Sequence, residues 1–129
     1  MIRSIFAVIV AILTWFVVAT VGNWLLRGGL SGYSMVEKSM DFSLLMLLCR
    51  LGLGLVSSFC SGAACAAIVS PTSRAIAGAA GALLLLFLPV HYMLWSKFPI
   101  WYHFFFLASL PTFVLLGGMT YRKLFHAKL

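Results

Sequence analysis

The sequence predicts an all-α integral membrane protein, four transmembrane helices in an antiparallel up-down bundle. Three observations predict it. Of the 129 residues, 64% are hydrophobic and 9% charged, against about 45–50% apolar and about 25% charged in a soluble domain. Four apolar stretches each supply the roughly 20 residues that a helix needs to cross about 30 Å of hydrocarbon. The stretches are continuously apolar rather than alternating, which argues against a β-barrel, and backbone groups in lipid must pair within their own segment. The chain reads as one domain, residues 1–129, with helices near 4–26, 35–69, 75–95 and 99–121.

The first stretch, MIRSIFAVIVAILTWFVVATVG, places Arg3 before an apolar run and small residues near Ala19. That resembles a secretory signal, but the run is long for one, so it reads as a retained first helix. RGGLSGY, residues 27–33, follows. Its glycines make a flexible turn rather than a phosphate cradle, which would need a preceding strand.

SMVE, residues 34–37, has the form of a capping box, with Ser34 at the N-cap and Glu37 three residues on. A second helix over 35–69 would be about 50 Å long, so its first turns should stand outside the membrane. SPTSR, residues 70–74, makes a turn in which Pro71 stops that helix. The third span carries Pro89. The fourth starts at Pro99, a favourable first-turn position, and contains Pro111.

Gly54, Ser58, Gly62 and Ala66 recur every four residues on the second span, a small-residue ridge that lets another helix approach closely. Gly78 and Ala82, with Ala75 and Ala79, offer a similar surface on the third. The short turn between these spans predicts that they form the closely packed antiparallel pair.

The formal net charge is +7, but the basic residues other than Arg50 sit at the ends of apolar spans, which argues against nucleic acid as a partner. Five (Arg3, Arg74, Arg122, Lys123, Lys128) lie at one set of ends and three (Arg27, Lys38, Lys97) at the other. The bias places both termini in the cytoplasm, in a multi-pass protein of the inner (plasma) membrane. The tail YRKLFHAKL suits anionic head groups. Cys49, Cys60 and Cys65 share the second span without a CxxC. They read as free thiols packed as small hydrophobes.

Two constellations could carry chemistry. His91 and His103 lie six residues either side of Lys97. An antiparallel hairpin would set them at equal depth on helices about 8–10 Å apart. They read as part of an interfacial belt or structural hydrogen bonding, among Tyr92, Trp95, Trp101 and Tyr102. Alternatively they contact a proton or substrate, or form a pair of metal or haem ligands. No HExxH or Cys/His cluster supplies further ligands. Arg50 interrupts the second span, and on an unbroken helix Ser39, Ser43, Ser57 and Ser61 share its face. Asp41 would point the opposite way. Arg50 is then either a boundary residue that snorkels or a contact for an anion, since a charge within the membrane is by default functional. Asn23 is its neutral neighbour at similar depth.

The first helix has no acid, unlike that of the small multidrug transporters. Arg50 also lacks the charged neighbours of the membrane-associated glutathione-using enzymes. The expected function is a non-enzymatic, oligomeric or accessory component of a membrane complex, with the lipid bilayer and like or unlike subunits as partners. The alternative is a small transporter or channel for an anionic solute, using Arg50, Asn23, His91 and His103. A weaker alternative is a haem- or metal-binding redox subunit, with His91 and His103 as ligands.

Overall fold

The computed structural model describes residues 1–37, 39, 41–69 and 73–126, with only the backbone of His126. Lys38, Pro71 and Lys128 lie outside the described residues. The described chain is helical, with no strand: α1 (Ile2–Gly29), α2 (Tyr33–Val36), α3 (Leu44–Ile68), α4 (Ala75–Met93) and α5 (Ile100–Tyr121). A wider terminal turn, Arg122–His126, continues α5. Among the described residues, four helices (α1, α3, α4 and α5) are long and apolar enough to cross a membrane.

α1 carries no polar face and buries its small residues Ala7 and Ala11, then Trp15, at spacings of four. That stripe lets α3 approach closely enough for polar contacts. The Ser61 hydroxyl donates to the Ala11 carbonyl at 2.7 Å, and Trp15 Nε1 donates to the Ser58 hydroxyl at 3.0 Å. Higher up, Gly22 faces the Leu53 side chain. At the end of the molecule that holds both termini, the Arg3 guanidinium donates to the Ile68 carbonyl. At the same end, Arg122 donates to the Ser73 carbonyl at 2.9 Å.

The second long helix starts later than the capping box predicts. α3 begins at Leu44, and Ser43 is its N-cap, accepting from the Met46 N–H at 3.3 Å. That bond satisfies one of the orphan donors of the first turn. Ser34 instead lies inside the single turn α2. Glu37 is taken by Arg27, at 2.6–3.1 Å over three N···O contacts, so it cannot turn back to close the box. Gly32 makes the reversal before α2 at φ 79, a conformation open to glycine without strain. This fold-back buries Tyr33 completely, and burial of the ring outweighs a longer helix. Ser39 and Ser43 therefore do not extend the face of Arg50, and Asp41 is outside the helix.

The small-residue ridge also meets a different partner. α3 packs chiefly on α5 and α1 and touches α4 only slightly. A methyl group on Gly62 would strike the Val114 carbonyl, and one on Gly117 would strike the Phe59 carbonyl. The two glycines thus interlock the α3 and α5 backbones. Gly54 faces the Phe106 ring at 3.0 Å from where a Cβ would lie. Gly78, expected opposite the ridge, has only the α1 side chain of Val8 nearby, at 3.8 Å, and Ala82 is half-buried. Gly117 and Gly118 present two adjacent positions without side chains, which accept a helix backbone more closely than the alanines of α4 can. α4 instead packs on α5 and α1.

Candidate functional site: a cavity around Arg50

α1, α3, α4 and α5 line an open cavity of about 370 Å³ at the end of the molecule away from Met1. α3 and α5 form its floor with Gly54, Tyr102 and Phe106; α1 and α4 form its walls. The Trp15, Phe16 and Phe87 rings close it toward the middle, Trp15 and Phe87 lying 4.6 Å apart. Cavities of about 300–1,000 Å³ with apolar walls and a few convergent polar groups are the usual form of small-molecule sites.

Arg50 enters this cavity one and a half turns into α3. Its Nη1 donates to the Tyr33 hydroxyl at 2.7 Å, and that hydroxyl donates to Asn23 Oδ1 at 2.8 Å. The fold-back of α2 therefore carries Tyr33 between Asn23 and Arg50, which do not bond directly. The guanidinium carbon lies 4.7 Å from the centre of the Phe42 ring, within cation–π range. Phe42 in turn stacks on Phe98 at 6.1 Å. Tyr102 lines the same cavity as Arg50. Arg50 Nε is buried without a hydrogen-bond partner among the described residues.

All these contacts are neutral. The chain has only two acids, Glu37 and Asp41, and the single salt bridge among the described residues is Arg27–Glu37 at 2.6 Å. A guanidinium does not shed its proton, and a charge drawn out of water is costly unless paired. Arg50 has no carboxylate in ion-pair contact among the described residues; Glu37 lies within its electrostatic reach but is paired with Arg27, so two arginines at this end share one acid.

His91 and His103 meet directly. Their Nδ1 atoms lie 2.7 Å apart, and both rings are buried, 6% and 0% exposed. This is the structural hydrogen bonding expected from the sequence, made between buried rings rather than exposed polar tips. His103 Nε2 is 3.2 Å from the Trp95 carbonyl, which can only accept, so His103 carries its proton on Nε2. Its Nδ1 is then the acceptor, and His91 donates from Nδ1. This leaves the His91 Nε2 lone pair without a hydrogen bond from any described residue. Two nitrogens on one metal ion, at bonds of about 2.0–2.1 Å and tetrahedral angles, would stand roughly 3.3 Å apart. The observed spacing is that of an N–H···N hydrogen bond. No group of three or more His, Cys, Asp or Glu within metal reach occurs among the described residues. As placed, the two Nδ1 atoms bond to each other rather than share one metal ion.

Of the site residues read from sequence, Arg50, Asn23 and His91 line one cavity, and His103 supports His91 from behind. Tyr33, Phe42 and Tyr102 were not legible as site residues. The one available signal was Tyr33, a large amphipathic ring at the end of a run of small, flexible turn residues. Cys49, Cys60 and Cys65 are free thiols, and none lines the cavity.

No protein-family model matches the chain, and no curated protein or solved structure shows significant similarity to it.

Proposed function

We propose that this is a four-span, up-down membrane protein that binds an anionic ligand at Arg50, as the recognition step of a small transporter or carrier. The observation that carries the reading is a fixed guanidinium, facing a cavity, whose hydrogen-bond partners are all neutral. An anion would supply the missing charge and the acceptor for the buried Nε. Tyr33 and Asn23 hold the guanidinium in place, while Arg27 at the rim is already paired with Glu37. This reading is favoured over a purely accessory role because packing alone gives no reason to keep an unpaired charge within a span. The basic bias of the sequence puts both termini in the cytoplasm of an inner membrane, and the Arg50 cavity toward the outer face.

The test is access and protection at Thr20, whose exposed side chain lines the cavity and, among the described residues, bonds only to the Phe16 carbonyl. In a background without native cysteines, Thr20→Cys should react with a membrane-impermeant thiol reagent added on the side opposite the termini. Inorganic phosphate should slow that reaction, and Arg50→Gln should abolish the protection. Absence of labelling from both sides would mean a dry, closed cavity. Labelling that phosphate never slows would remove the anion site.

A further inference from the structure

We infer that the anion is the head group of a membrane lipid, which enters sideways between α1 and α4. The inference rests on the anion reading and names its ligand. The cavity is a lengthwise groove rather than a funnel. Its α1 wall runs from Trp15 to Arg27, twelve residues or about 18 Å. Its α4 wall is Phe87, Val90, His91 and Leu94. Polarity is graded along it. The closed, midway end is Trp15, Phe16, Phe87 and Phe106, and the far end gathers Arg27, Arg50 and Asn23. The rim is exposed along its length, at Phe16, Thr20 and Trp24 on α1 and Val90 on α4, so the groove opens toward the flank of the bundle.

A small hydrated anion would gain nothing from the apolar end and would have to leave water to reach it. An uncharged hydrocarbon chain would leave Arg50 unpaired. A ligand with an anionic head and an apolar tail satisfies both ends at once. α1 and α4 pack together toward the termini, where Gly78 faces Val8 and the Phe16 and Phe87 rings stack at 6.0 Å. Beyond Phe87 no hydrogen bond or ring contact joins the two helices among the described residues. A chain lying between them would therefore break none.

The test uses the whole protein reconstituted in neutral lipid, with Trp24, Trp95 and Trp101 replaced by Phe. Trp15 is then the sole fluorophore, at the closed end of the groove. The probes are phosphatidic acid and phosphatidylcholine with brominated chains, and inorganic phosphate. Brominated phosphatidic acid should quench Trp15 with about a ten-fold preference over brominated phosphatidylcholine, the scale of one charge-assisted contact. Arg50→Gln should remove the preference. Ala19→Phe, which narrows the groove at its α1 wall, should weaken quenching of Trp15 by brominated phosphatidic acid. Phosphate protection with no preferential quenching would overturn the lipid inference and leave the anion site standing. Loss of both would overturn both. Equal quenching by the two lipids, or protection of Trp15 from both by a second copy of the chain, would also overturn it.

Discussion

The Tyr33 hydroxyl accepts from Arg50 at 2.7 Å and donates to Asn23 at 2.8 Å, so a residue from the α1–α3 connection fixes the charge inside the cavity. Tyr33→Phe keeps the ring beside Phe42, 5.3 Å away, but removes the hydroxyl. It should cost roughly 1–3 kcal/mol, the penalty for an unsatisfied buried polar group, and weaken phosphate protection of Thr20→Cys. Thermal unfolding in detergent measures the first effect. Unchanged stability together with unchanged protection would mean that the relay does not hold Arg50.

The interlock of α3 and α5 makes a prediction from glycines alone. Gly62→Ala and Gly117→Ala each force a methyl group into a backbone carbonyl and should destabilise by about 1–3 kcal/mol, as overpacking does. Gly52→Ala and Gly81→Ala meet nothing within 4 Å and should be neutral or slightly stabilising, since alanine favours a helix over glycine by about 1 kcal/mol. Equal melting temperatures for the two sets would contradict the interlock.

The histidine pair should show a specific tautomer pattern. Nitrogen NMR of the labelled protein should find His103 protonated at Nε2 and His91 at Nδ1, with a coupling between the two Nδ1 atoms. His91→Ala leaves the His103 Nδ1 buried without its donor and should cost about 1–3 kcal/mol. Both rings protonated at Nε2 would rule out the direct bond.

Glu37 lies outside the spans, and the Arg27 guanidinium holds its carboxyl below the usual range. A depressed carboxylate pKa stabilises the fold above the unfolded value of about 4.3. The contribution falls away as pH drops through the lower folded value. Both side chains are partly exposed, at 41% and 25%, so the effect should be small and screened by salt. The Glu37 carboxyl resonance should therefore titrate below that of unpaired glutamate, and Arg27→Gln should return it to normal. A normal midpoint in the unmodified protein would contradict the ion pair.

The four long apolar helices were legible because continuous runs of about 20 apolar residues read as helices whatever their packing. The start of α3 was less so. Ser34 and Ser43 both offer capping chemistry, and the burial of Tyr33 with the Arg27–Glu37 pair goes with the second. The small-residue ridge around Gly62 announced a close approach but not to which helix. Its partner was also written in the chain, as Gly117–Gly118, but a ridge and its groove share no local pattern. For Arg50, the sequence showed a charge within a long apolar helix and Asn23 as its neighbour. The bridging Tyr33 depends on a chain reversal at Gly32, which local periodicity does not describe.

The most direct measurement of the central claim is a binding isotherm for inorganic phosphate with purified protein in neutral detergent, comparing the unmodified chain with Arg50→Lys and Arg50→Gln. The account predicts saturable binding by the unmodified chain and weaker binding by the lysine variant, which keeps the charge but loses the planar fork. It predicts none by the glutamine variant, with all three proteins equally helical. Saturable binding that survives Arg50→Gln unchanged, or none in the unmodified chain, would contradict it.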